Sequence, residues 1–139
     1  MKFGEKLLGV VLLLGACVTA FYWWSYFTGG DVAVLHDRWY TAFESSFPVA
    51  DGWMALCGAV AGIGFLTSGA YGPRVGLMAG ASILYLAAMD ITFDVENGMY
   101  ALARANDAMK FEIFINASCV ILGVWTLIAS WRALDRGTR

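Results

Sequence analysis

The sequence predicts an all-α integral membrane protein, a bundle of four transmembrane helices with both termini cytoplasmic. Three observations predict it. The 139 residues are 60% hydrophobic and only 14% charged, whereas soluble domains carry about a quarter charged residues. Four apolar stretches approach or reach the roughly 20 helical residues needed to cross a hydrocarbon core about 30 Å thick. Basic residues also gather at one set of helix ends. The length suits a single transmembrane domain.

The first span is expected over Leu7–Phe27, which holds no charged residue. Lys2 and Lys6, followed by Leu14-Gly15-Ala16-Cys17, resemble a lipoprotein signal peptide and its lipobox. Such a leader turns polar after the cysteine, but here the apolar run continues through Phe27, which favours a span. Tyr22, Trp23, Trp24, Tyr26 and Phe27 crowd the outer end of this helix, as interfacial aromatics do.

Between the first two spans, Trp39, Tyr40, Phe43 and Phe47 recur at helical spacing among polar residues that include Glu44. That pattern fits a short amphipathic helix in the outer interface; a loop with interfacial aromatics is the alternative. The second span is expected over Trp53–Ala70. Pro48 and Asp51 suit its first turn, where proline is tolerated and a carboxylate favours the helix N-terminus. Tyr71-Gly72-Pro73-Arg74 then reads as a tight turn leading into a third span, Val75–Phe93. Phe111–Trp131 is the fourth.

Charge orients the bundle. An inward N-terminus puts Lys2, Lys6, Arg74, Arg132, Arg136 and Arg139 on the cytoplasmic side and only Arg38, Arg104 and Lys110 outside. This asymmetry follows the positive-inside rule and places the chain in a cell membrane, with a prokaryotic inner membrane the expected location.

Each span carries a stripe at alternating spacings of three and four, the positions that share one helix face. The stripes are Leu8, Val11, Gly15, Val18, Tyr22 and Ser25; Asp51, Ala55, Gly58, Gly62, Phe65 and Gly69; Gly76, Gly80, Ile83, Ala87, Asp90, Asp94 and Asn97; and Glu112, Asn116, Cys119, Gly123, Thr126 and Ser130. Gly58-x-x-x-Gly62 and Gly76-x-x-x-Gly80 are the spacing that lets helix backbones approach closely in lipid. Toward the outside the stripes turn polar. Antiparallel packing is expected to set Asp94 level with Glu112 and Asp90 level with Asn116, since helical rise separates each pair by about one turn.

The candidate ligand-binding residues are therefore Asp51, Asp90, Asp94, Asn97, Glu112 and Asn116. An ionised group in hydrocarbon costs several kcal/mol, and clustered like charges raise the cost. They require a proton, a bound cation, or a basic partner drawn from Arg38, Arg104, Lys110 and His36. The bland alternative puts Asp94, Asn97 and Glu112 among the headgroups, with Asp51 acting only as a helix-start residue. Glu96 falls off the stripe and is expected to be solvated.

Other chemistries find little support. The net charge of −2 with no basic stripe argues against nucleic acid. Cys17, Cys57 and Cys119 lie in apolar runs without metal-ligand spacing and read as packing residues. His36 is the only histidine, which excludes a bis-histidine haem within one chain. No recognised catalytic motif or cofactor signature is present.

The stretches Phe43–Asp51 and Asp90–Gly98 resemble parts of small four-span bacterial membrane proteins without an assigned activity, which implies a four-helix layout. A second comparison, of layout alone, is with the emopamil-binding superfamily, whose members include sterol isomerases and sterol-binding receptors with acidic residues facing a lipid-accessible pocket. Three functional readings follow. The leading one is a binding or transport-type protein that holds a cation or a small polar or amine ligand. Another is an accessory subunit whose acids pair with a membrane partner or a second copy. The third is an intramembrane acid–base enzyme of isomerase type acting on a lipid-soluble substrate.

Overall fold

A computed structural model describes residues 3–30 and 33–137; Lys2 and Arg139 of the charge count lie outside them. The chain forms α1 (Phe3–Phe27), α2 (Arg38–Glu44), α3 (Pro48–Thr67), α4 (Tyr71–Glu96), a 3₁₀ helix (Met99–Arg104) and α5 (Asp107–Gly137). The four long apolar helices are those of a multi-pass membrane protein. The short helix expected in the first loop is α2.

The link between the second and third spans differs from expectation. Its turn lies at Ser68-Gly69-Ala70, and Tyr71 already begins α4. Ser68 takes a left-handed conformation (φ 59°) and closes α3 by donating its N–H to the Gly64 carbonyl. Gly72 and Pro73 sit in the first helical turn instead, where a missing proline N–H leaves no helical bond unmade. Gly72 has a packing role. A Cβ there would stand 2.7 Å from the Gly64 carbonyl carbon, so the hairpin closes only without one.

The helices stand in a row. α1 packs along α3, α3 along α4, and α4 along α5, while α1 and α5 share no interface of that kind. Glycines set two of these contacts. A Cβ on Gly62 would meet the Gly9 carbonyl at 2.8 Å, and one on Gly9 would meet the Gly62 carbonyl at 2.9 Å. Gly80 and Gly123 bring α4 and α5 together similarly, each facing the other's carbonyl oxygen at 3.1 and 3.3 Å. Both small-residue motifs thus lie at helix contacts, one toward α1 and one toward α5.

Near the termini the row closes over a core of Leu8, Leu12, Cys57, Ala61, Phe65, Ala79 and Ile83, with Leu122 and Trp125 of α5 packed on it. There Arg136 of α5 also pairs with Glu5 of α1. Away from the termini, at the distal end, Val34, Tyr40, Met99 and Met109 pack the loops together.

The stripe expected on α1 requires correction. Leu8, Gly9, Leu12 and Trp23 are its buried residues, whereas Val18 is exposed. This helix is apolar on every side, so composition alone does not fix its rotation. The stripes on α3, α4 and α5 face their neighbours, with Gly58, Gly62, Phe65, Gly76, Gly80, Ile83, Ala87, Asn116, Gly123, Thr126 and Ser130 all buried.

Candidate functional site: an acidic cleft between the first and last helices

Because α1 and α5 do not pack together in the distal half, a cavity of about 590 Å³ remains between them, within the usual range for ligand sites. α3 and α4 form its floor through Asp51, Ala55, Gly58, Ile83, Ala87 and Asp90. Its flanks are Gly15, Val18, Phe21 and Tyr22 of α1, and Phe111, Glu112, Phe114 and Asn116 of α5. Val18, Phe21, Phe111 and Phe114 are exposed. The cleft therefore opens sideways, on the face that lipid covers.

Four carboxylates line it, each from a different helix: Glu44 of α2, Asp51 of α3, Asp90 of α4 and Glu112 of α5. Among the described residues no Lys, Arg or His lines it. None of the basic residues considered as inward-folding partners lines the cleft. Arg38, Arg104, Lys110 and His36 are all exposed, and the Lys110 ammonium pairs with Asp107 at 2.7 Å.

Aromatic donors hold the carboxylates in place. Trp23 Nε1 donates to Asp51 Oδ2 at 2.9 Å, so the residue read as a helix-start carboxylate also ties α3 to α1. Glu44 accepts two phenols, Tyr22 at Oε2 (3.0 Å) and Tyr40 at Oε1 (2.8 Å). The Tyr40 oxygen also stands 3.2 Å from Glu112 Oε2. A phenol has one hydrogen to give. Both Tyr40 contacts become hydrogen bonds only when one of the two carboxyls carries a proton and donates it to the phenol oxygen. This row runs from α1 through α2 to α5 and roofs the cleft at its distal end.

Asp94 lies behind the lining and is completely buried. The amide of Asn116, itself 3% exposed, reaches Asp94 Oδ2 at 3.5 Å, the outer limit of a hydrogen bond. Asp94 Oδ1 has no hydrogen-bond partner among the described residues. Asp90 and Glu112 both lie within electrostatic reach of Asp94. Tyr100, on the 3₁₀ helix outside the spans, has its pKa raised by burial and then by the charges of Asp94, Glu112 and Asp90.

Of the six residues picked from the sequence, Asp51, Asp90, Glu112 and Asn116 line the cleft and Asp94 adjoins it through Asn116. Asn97 does not. It is exposed at the end of α4 and donates its amide to the Phe93 carbonyl at 2.8 Å. Glu96 is exposed, as expected. Gly76 facing Ser130, Gly80 facing Leu127 and Leu84 facing Gly123 keep the expected register between α4 and α5, but the Asn116 amide reaches one turn along to Asp94 rather than to Asp90. Sequence reasoning missed Glu44, Tyr40, Tyr22 and Trp23. The available signal was Tyr40 and Glu44 four residues apart on one helix face.

Carboxylates arranged in this way suit a diffuse positive charge. Among the described residues no three His, Cys, Asp or Glu side chains come together as a metal-holding group. Compared with family models, with curated proteins and with solved structures, the chain matches none.

Proposed function

We propose that this small multi-pass membrane protein is a binding or transport-type protein whose acidic cleft holds a cation or a small amine. One observation carries the reading: four helices each contribute a carboxylate to one cavity that no basic side chain lines. Leaving several like charges uncompensated at membrane depth is costly, and a bound cation removes that cost. That no three acids among the described residues come together as a metal-holding group supports an ammonium, with its several N–H donors, over a metal ion. The basic residues Lys6, Arg74, Arg132 and Arg136 mark the cytoplasmic helix ends, so the cleft faces the outer leaflet of the cell membrane.

Replacing Asp90 and Asp94 with Asn tests this reading. Ethylamine raises the unfolding temperature of the wild-type protein and leaves that of the folded double variant unchanged. Equal stabilisation of the two overturns the reading.

The sideways opening also supports a second reading, acid–base catalysis on a lipid-soluble substrate. Asp90 or Glu112 would then exchange a proton with the substrate, and turnover of an added lipid-soluble substrate, abolished in Asp90→Asn, distinguishes this from binding alone.

A further inference from the structure

We infer that the cleft takes an amphiphilic amine, its N–H-bearing ammonium among the carboxylates and its hydrocarbon tail leaving sideways between α1 and α5. The inference rests on the reading above and adds the chemical class of its ligand.

Two independent observations support it. The first is the division of the cleft's surface. Its carboxylates are concentrated toward the distal end and the floor, while Val18 and Phe21 on one flank and Phe111 and Phe114 on the other are apolar and exposed. A small hydrated cation would leave that apolar slot facing lipid or water without using it. A hydrocarbon chain fills it and gains packing contacts with these side chains while its ammonium stays among the carboxylates.

The second is Asp94. Its side chain is wholly buried beside Asp90 and Glu112, and among the described residues no donor stands within hydrogen-bond distance of Oδ1, while Oδ2 has a long contact with Asn116 and the Tyr100 hydroxyl lies close by. A buried acceptor without a partner is costly. Asn116 lines the cavity and stands between Asp94 and the ligand space. A head group with N–H donors completes this cluster, directly or through Asn116, and a quaternary ammonium of equal charge does not.

The full chain in phosphatidylcholine nanodiscs provides the test, with ethylamine, hexylamine, hexyltrimethylammonium and hexanol as probes. Thermal shifts are compared after correction for each probe's partitioning into lipid. After that correction hexylamine is still expected to act at lower concentrations than ethylamine, with hexyltrimethylammonium weaker and hexanol inactive. Gly15 lines the cleft, and nothing stands within 4 Å of a Cβ placed there, so the Gly15→Trp side chain has room to enter the slot. It is expected to erase the advantage of hexylamine over ethylamine; Val18→Trp serves as the second variant should the first fail to fold.

Equal potency of ethylamine and hexylamine, or a tail advantage that survives both tryptophan variants, overturns the inference while leaving the cation site standing. If neither amine stabilises the folded protein, both fall. A stoichiometric protein partner bound across the α1–α5 gap also overturns it.

Discussion

Tyr40 of α2 holds one hydroxyl between two carboxylates, 2.8 Å from Glu44 and 3.2 Å from Glu112. Through it a seven-residue helix is fastened to the last span, 72 residues further along the chain. The same ring lies against Phe93 of α4 at 6.1 Å, so both ends of Tyr40 hold α2 over the cleft.

Replacing Tyr40 with Phe keeps the ring contacts and removes the hydroxyl. The side chain is 1% exposed, so the space its hydroxyl leaves is enclosed, and both carboxylates lose a hydrogen-bond partner. A loss of about 1–3 kcal/mol is expected, read as a lower unfolding midpoint in detergent. Tyr22→Phe removes one bond from the same Glu44 carboxylate and is expected to cost less.

The proton that both Tyr40 contacts need in order to be hydrogen bonds makes its own prediction. A carboxamide offers the N–H that a protonated carboxyl offers as O–H. Glu112→Gln is therefore expected to stay within about 0.5 kcal/mol of wild type, whereas Glu112→Ala loses the hydrogen bond outright at a cost of about 1 kcal/mol or more. Infrared difference spectra between the wild type and Glu112→Gln check the premise directly. A protonated-carboxyl carbonyl band present at neutral pH in the wild type is expected to be lost or shifted in the variant.

The contact between α1 and α3 depends on the absence of side chains. With only 2.8 Å between a Gly62 Cβ and the Gly9 carbonyl oxygen, Gly62→Ala forces the helices apart and is expected to cost about 1–3 kcal/mol. Gly15→Ala, on the same helix as Gly9 but with nothing within 4 Å, is the control and should be neutral. A chemical-unfolding series in mixed micelles compares the two.

Ser130 is fully buried and its hydroxyl has no hydrogen-bond partner among the described residues. Ser130→Ala removes an unsatisfied polar atom and is expected to be neutral or to raise the unfolding midpoint. Gly76→Ala, by contrast, drives a methyl into the Ser130 hydroxyl and is expected to destabilise. Combining the two should recover much of that loss, because the obstructing atom is then gone.

The parts legible from the sequence are those that hydrophobicity and glycine spacing determine. Four spans, the amphipathic α2 and the facing stripes of α3, α4 and α5 follow from run length and periodicity. So does the convergence of Asp51, Asp90 and Glu112. The rotation of α1 does not, because leucine and valine surround its axis and carry no preference for one neighbour. The reach of Asn116 to Asp94 was hidden for a different reason: a level count of residues fixes which backbones face each other, and a side chain can still lean one turn along its neighbour. Glu44 escaped notice because an acid on a short interfacial helix resembles any solvated loop residue until Tyr22 and Tyr40 are seen to donate to it.

The single-file arrangement of the helices has a mechanical consequence. Gly9 against Gly62 and Gly80 against Gly123 are backbone-to-backbone contacts without slack, so the three successive interfaces behave as a stiff wall. Besides the core on which Leu122 and Trp125 pack near the termini, the edges of α1 and α5 are joined by Glu5 with Arg136 and by the Tyr22–Glu44–Tyr40–Glu112 row. A wider aperture would therefore strain these contacts first and leave the glycine seams intact, so the cleft's width is set by polar fastenings at its ends rather than by the packing of the frame.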